Sequence, residues 1–279
     1  MKEYLDLVRL VMKEGIRKPS RTGIDTISYF SANYRVDISK GFPLLTTKKM
    51  VWKSLLHEVL WYLSGEDHIR NLRKHTKIWD AWADENGDLE TAYGYYWRKF
   101  PSAELDENGN WQVRQVDQIR YIIDEIKRNP YSRRLIVTAW EPGNATTSKL
   151  PPCHYTFAFN VQGNRLNCHL TQRSGDIALG IPFNLAAYSM LTMIIANETN
   201  LEPGIFSHTI IDAHIYVADK GSELERYDHL EGLKIQLERE PLPLPTLKIA
   251  KKPIDELTFE DFELVGYQSH SAIKFEVAV

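Results

Sequence analysis

In residues 51–63, "VWKSLLHEVLWYL", the apolar positions Trp52, Leu55, Leu56, Val59, Leu60 and Leu63 recur every three or four residues. That spacing predicts a helix laid on a core. Glu58 lies off this stripe, on a face shared with His57 and Trp61, so the face is not an ordinary solvated one. The same period returns in residues 115–130 with Val116, Ile119, Ile122, Ile123 and Ile126, and Pro130 ends it. The first 15 residues read as a charged amphipathic helix. The period falls to two in "YTFAFNV" and "RLNCHLT", with Gly163-Asn164 between them, which predicts a hairpin. Cys168 shares the apolar face of the second strand with Leu166 and Leu170. "RRLIVTAW" reads as a buried strand, and "FNLAAYSMLTMIIAN" is apolar nearly all round, as a core helix is. Strand-like "HTIIDAHIYV" and a proline-rich crossing, "REPLPLPTLKI", follow. "FPSAELDENGNWQVRQ" and "ADKGSELERYD" read as polar surface insertions. With no internal repeat and no clean boundary, the pattern predicts one α+β domain over residues 1–279.

Composition narrows the partners. The chain has 279 residues, 43% hydrophobic and 25% charged, with a net charge of −3. Nothing basic overall suggests nucleic acid, so a bound anion would need a local arginine cluster. Two cysteines make no disulfide framework and suggest a reducing, cytoplasmic setting. No stretch reaches the roughly 18 apolar residues of a membrane span, and the first helix lacks the apolar run of a signal peptide.

The two cysteines sit in different company. Cys168, inside an apolar strand face, reads as a small inert hydrophobe. Cys153 follows Pro151 and Pro152, which exclude a helix interior, and precedes His154. On the residues alone it is equally a buried strand-start cysteine and a nucleophile. "LTQRSGDIALGIPFN" adds an arginine that would favour a thiolate. With "SRRLIV" and "PSRTG", the chain has the arginines to fork onto a phosphate. Together they suggest a phosphorylated substrate attacked by sulfur.

The ordered set "SRTG", "GFPLLTTKK", "LLHEVLWYLSG", "IWDAWADENGDL", "AYGYYWR", "VDQI", "NPYSRRLIVTAW", "LPPCHYTFAF", "LTQRSGDIALGIPFNLAAYS", "DAHIY" and "LKIQLEREP", with the tail, closely resembles the folate-dependent thymidylate synthase family. It runs from Arg21 to Val279. The resemblance implies a large mixed β-sheet flanked by helices and reductive methylation of dUMP to dTMP. The co-substrate would be 5,10-methylenetetrahydrofolate, and no metal is implied. It implies Cys153 as nucleophile at uracil carbon 6, with Arg21, Arg173 and Ser174 on the phosphate. Arg133 and Arg134 would reach in from the second subunit of a homodimer. His214 and Tyr216 would bind the deoxyribose hydroxyl and Asn184 the uracil edge. Glu58 would organise water and protons, and Tyr93 would help remove the carbon 5 proton. Lys48, Trp79, Trp82, Asp176, Gly180, Phe183 and Val279 would line or close the folate site. Without the family, Asn184 reads equally as a helix N-cap, and Trp79 and Trp82 read as core.

The chain departs from the family at Ile211, where glycine is usual, at Val51, and in an insertion of about ten residues after Tyr216, the scale of a long loop. Two rivals remain. One is a hydroxymethylase of the same fold; Asn184 favours uracil over cytosine there. The other is a silent nucleotide-binding homologue, which should lack Cys153, Glu58 or Tyr93.

Overall fold

The computed structural model describes residues 1–90 and 92–278. Val279, expected at the folate site, lies outside the described residues. The elements run α1 (Lys2–Glu14), β1 (Ile16–Lys18), β2 (Thr26–Asp37), α2 (Trp52–Ser64), α3 (Tyr93–Lys99), β3 (Phe100–Leu105), β4 (Trp111–Val116), α4 (Gln118–Arg128), β5 (Ile136–Thr138), α5 (Asn144–Thr147), β6 (Thr156–Gln162), β7 (Arg165–Asp176), α6 (Gly180–Glu198), β8 (Glu202–Tyr216), α7 (Leu230–Leu237), β9 (Thr246–Ile249) and β10 (Phe262–Val265).

Six strands form one mixed sheet in the order β1-β2-β8-β7-β6-β5. Only the β7·β8 pair is parallel. This is the expected α+β architecture. The β6–β7 hairpin closes at Gln162↔Arg165 and sets Cys168 opposite Phe159. α6 packs on β7 and β8 with α2 against it. Leu185, Met190, Leu191, Ile194 and Ile195 of α6 are all buried. Each such side chain contributes about 1.5–3 kcal/mol relative to exposure, so α6 and the sheet form a rigid floor.

Three expectations change. The surface insertion read over residues 100–115 is the exposed β3–β4 hairpin, and Val116 belongs to β4, so α4 begins only at Gln118. Asp117 caps α4 by accepting from the Arg120 N–H at 2.9 Å. Charged and polar residues on one hairpin face hid the alternation. The strand read from "RRLIVTAW" is short: Leu135 and Val137 are buried, but Ile136 is exposed on an edge strand. α2 buries more than its stripe, because Glu58, Trp61 and Tyr62 are buried as well.

α3 crosses α2 closely. A Cβ on Gly94 would stand 2.2 Å from the Tyr62 carbonyl oxygen, so only glycine permits the approach that sets Tyr93 beside Tyr62. The inserted residues 219–227 form a loop pinched at its base. The His229 N–H donates to the Tyr216 carbonyl at 3.0 Å and the Ala218 N–H to Asp228 at 3.0 Å. The insertion therefore leaves the path of β8 into α7 closed across its base. Among the described residues, no helix is long and apolar enough to cross a membrane.

Candidate active site

Cys153 occupies a bend just before β6. Arg173 of β7 stitches that bend to the sheet. Its N–H donates to the Cys153 carbonyl at 2.8 Å, its Nε to Pro152 O at 3.0 Å and its Nη2 to Pro151 O at 2.6 Å. Nη2 also lies 3.5 Å from the Cys153 Sγ. The prolines offer carbonyls without N–H groups of their own, so a guanidinium fork satisfies them and fixes the thiol. The pairing of the central strands steps over Arg173. Gln172 pairs with Ile210 and Ser174 with Asp212, while on β2 Phe30 pairs with Asp212 and Ala32 with Ile210. Ser31, between those last two, has a φ of 59°. β8 runs unbroken through Ile211, so isoleucine there is compatible with the strand.

The Tyr93 hydroxyl accepts the Cys153 N–H at 2.7 Å. Burial pushes the Cys153 thiol up; Arg173, Tyr93 and Arg21 oppose it without overcoming it. Arg173 thus acts in the direction the sequence suggested, but burial outweighs it. Cys168 is buried with Leu166 and Leu170, and burial pushes its thiol up to about 12.

Beside the thiol lies a buried polar box. The Glu58 Oε1 accepts from Trp79 Nε1 at 2.7 Å and from the Tyr62 hydroxyl at 2.9 Å. Burial raises the Glu58 carboxyl against those two hydrogen bonds, which favours the proton-holding form. Tyr93 stacks on His154 with ring centroids 3.7 Å apart. The His154 Nδ1 meets the Tyr188 hydroxyl at 2.6 Å, and burial pushes this imidazole down to about 3. His154 is therefore neutral and a spacer for Tyr93. Trp79 is buried and also reaches a cleft. Its N–H is bonded to Glu58, and with Trp82, Leu89 and Leu150 it lines a cleft of about 320 Å³.

Asn184 is no N-cap. Leu179 holds that position, and Asn184 lies within the second turn of α6. Its Oδ1 accepts from Gln172 Nε2 at 3.1 Å, and Gln172 Oε1 meets His208 Nε2 at 3.1 Å. His208 Nδ1 in turn meets the Tyr34 hydroxyl at 2.9 Å. This buried chain orients the Asn184 amide and leaves its Nδ2 to donate. Gln172 and His208 were missed. A signal existed: Gln172 continues, at period two, the apolar face of Leu166, Cys168 and Leu170.

At the other end, exposed Arg21 projects from the turn before β2, near enough for its charge to act on Cys153 and Tyr216. Ser174 pairs with Asp212, and Asp176 with His214, so β7 and β8 bring the phosphate and ribose candidates side by side. The His214 Nδ1 lies 3.1 Å from the Asp212 carbonyl. Arg133 and Arg134 are exposed just before β5. Among the described residues, Arg134 bonds Ser132 through its backbone and its charge acts on Glu125, with neither contact leading to Cys153.

Asp176 ends β7 and accepts the Ala178 N–H at 2.8 Å. Burial would raise its carboxyl, but His229, His214 and that N–H hold it below the usual range. Lys48 donates to the Ala178 carbonyl, and burial pushes its ammonium down to about 8. Gly180 opens α6, and a Cβ there would meet nothing closer than the Asn184 Oδ1 at 3.8 Å, so the fold itself does not demand glycine. Phe183 packs partly exposed against the core. His229, buried between Asp176 and the C-terminal segment, escaped the sequence reading because it follows the insertion.

The family model described as "Thymidylate synthase" matches residues 2–279. A thymidylate synthase of Haloferax volcanii is 47% identical over an alignment of 326 residues that covers 98% of this chain and 95% of that protein. The chain therefore belongs to the thymidylate synthase family.

Proposed function

We propose that this enzyme methylates dUMP to dTMP through a covalent bond between Cys153 Sγ and uracil carbon 6. Members of the family bind dUMP and use methylenetetrahydrofolate as co-substrate. The observation that carries the reading is the Cys153 thiol, held at 3.5 Å from the Arg173 guanidinium by a fork onto the preceding proline carbonyls. A thiolate adding at carbon 6 pushes electrons through the ring to carbon 4 oxygen and makes carbon 5 nucleophilic. Breaking the same C–S bond later restores the thiolate. Because burial raises the thiol, the enzyme needs a proton acceptor or a change in the charge around Arg173 when substrate enters.

The folate supplies the one-carbon unit and the hydride. The residues present suit such a planar group: Trp79 and Trp82 line the cleft, and Asp176 is held ionised at its side of the sheet. Asn184, its carbonyl fixed by Gln172, presents an amide to the uracil edge. Glu58, whose Oε1 accepts from Trp79 and Tyr62, would hold a proton on Oε2 and pass it on by way of water. Tyr93, whose hydroxyl accepts the Cys153 N–H, would help remove the carbon 5 proton. Arg21, Arg173 and Ser174 take the phosphate, His214 and Tyr216 the ribose hydroxyl.

The phosphate site is completed by Arg133 and Arg134 of a second copy in a homodimer. Support comes from their exposure beside edge strand β5 and from exposed apolar Phe30, Ile136 and Ile211 on the same sheet, which a second copy would cover. Mixing Cys153→Ser with Arg133→Ala subunits should restore activity on exchange; no rescue after proven exchange removes the shared site. The direct test of the reaction is incubation with dUMP and methylenetetrahydrofolate. Matched formation of dTMP and dihydrofolate supports methylation, and a hydroxymethyl nucleotide without dihydrofolate replaces it with hydration.

A further inference from the structure

We infer that His229 is a positioning residue that ties the Asp176 carboxylate to the C-terminal segment, so that ligand site and tail are set together. The inference rests on Asp176 belonging to the folate site. The His229 side chain is 0% exposed. Its ring is flanked edge-on by Tyr216 at 5.8 Å and Phe275 at 5.0 Å. Nε2 lies 3.0 Å from the Glu276 carbonyl oxygen. A carbonyl only accepts, so Nε2 carries the hydrogen. The tautomer is thereby settled by the tail. Nδ1 then faces Asp176 Oδ1 at 3.7 Å and has no hydrogen-bond partner among the described residues.

A neutral ring in this position would turn a lone pair toward a carboxylate. An imidazolium would turn an N–H toward it, and a small approach would complete a charge-assisted bond. One ring thus faces the tail carbonyl through Nε2 and the Asp176 carboxylate through Nδ1. The groups facing this ring are few. Asp176 is in front of Nδ1, and His214 acts on the same carboxylate. Tyr216 and Phe275 cover its faces, and Lys48 stands over Phe275 at 4.9 Å. Glu276 turns its own carboxylate to Lys274.

The tail has its root elsewhere. The His270 N–H donates to Thr46 O at 2.8 Å, and Arg239 Nη1 donates to Ser271 O at 2.7 Å. Beyond Ser271, the described hydrogen bond from the body to the tail is the one from His229. Apolar contact supplements it, since Phe275 sits against Gly232 so closely that a Cβ there would be 2.5 Å from the ring. His229 itself is placed by its N–H to the Tyr216 carbonyl, at the base of the inserted loop. One residue thus joins the end of β8, the Asp176 carboxylate and the tail.

Three variants test the tie: His229→Leu, His229→Gln and Gly232→Ala. Hydrogen exchange of residues 273–277 is read in the ligand-free protein, and KM for folate and for dUMP in the assay. His229→Leu should speed exchange about tenfold and raise the folate KM by about as much, with the dUMP KM within about twofold. Glutamine can donate to the Glu276 carbonyl but leaves no ring nitrogen facing Asp176. His229→Gln should restore tail protection while the folate KM stays high. Gly232→Ala, with His229 intact, should displace Phe275 and raise both exchange and folate KM. If the leucine variant does not fold, the other two decide. Unchanged exchange with unchanged folate KM, or an equal rise in both KM values, overturns the inference. Failure of the wild-type protein to form dTMP would instead overturn the proposed reaction, while the exchange data still judge the tether.

Discussion

Cys153 and Cys168 lie one strand apart and differ in almost everything that controls a thiol. Cys168 points into the core with Leu166 and Leu170, and burial pushes it up to about 12 against a hydrogen bond from Thr192. Cys153 is also pushed up by burial, but it sits on a bend with a guanidinium 3.5 Å away and a tyrosine hydroxyl on its own N–H. Regular strand geometry buries a side chain among its alternating neighbours. Two prolines break that regularity, and their carbonyls draw in the arginine. The two thiols thus differ chiefly in local backbone geometry and in the guanidinium that this geometry brings in.

The largest expected effect breaks the contrast at its active end. Cys153→Ser should lower dTMP turnover by roughly a thousandfold or more, since a hydroxyl without thiolate character is a poor nucleophile. Binding of dUMP, read by calorimetry, should persist. Arg173→Gln sharpens the contrast by removing only the cation. The Cys153 thiol should then hold its proton more tightly. Every tenfold gain in that proton affinity lowers the thiolate, and so iodoacetamide labelling near neutrality, about tenfold. Labelling of the wild type should rise with pH through the alkaline range, because burial places the thiol above its ordinary value.

Glu58 extends the comparison to a buried carboxyl. Its folded pKa is raised, so the folded state binds more protons than the unfolded one above the unfolded value of 4.5. Stability from this group is full below that value and falls as pH rises through the folded pKa. Glu58→Gln keeps acceptance from Trp79 and Tyr62 without the charge. At pH 8 it should gain about 1.4 kcal/mol for every tenfold by which folding tightens the carboxyl's hold on its proton. Denaturant melts would show the gain, vanishing near pH 4, with turnover reduced. The smallest functional effect belongs to Cys168→Ser. It should cost about 1–3 kcal/mol of stability for a hydroxyl in an apolar site and leave turnover within about twofold.

Much of this was legible because the chain announces it by period. α2, α6 and the β6–β7 hairpin follow from spacing and one turn. The thiol bend follows from Pro151-Pro152. The β3–β4 hairpin was hidden because Ser102, Glu104, Gln112 and Arg114 occupy one face, as on a loop. Asn184 read as a cap because the apolar run begins after it, yet α6 starts four residues earlier at Gly180, with Pro182 tolerated in its first turn. The Gln172–His208 relay and His229 depend on partners 36 and 47 residues away, which no local pattern encodes.

The most direct test of the central claim is to acid-quench the enzyme during turnover of dUMP and methylenetetrahydrofolate, digest it and weigh the peptides. The account predicts a nucleotide mass on the peptide bearing residues 150–159, absent from Cys153→Ser and never on the peptide bearing Cys168. A protein that makes dTMP at full rate in the Cys153→Ser form, or one whose adduct maps to Cys168, would contradict it.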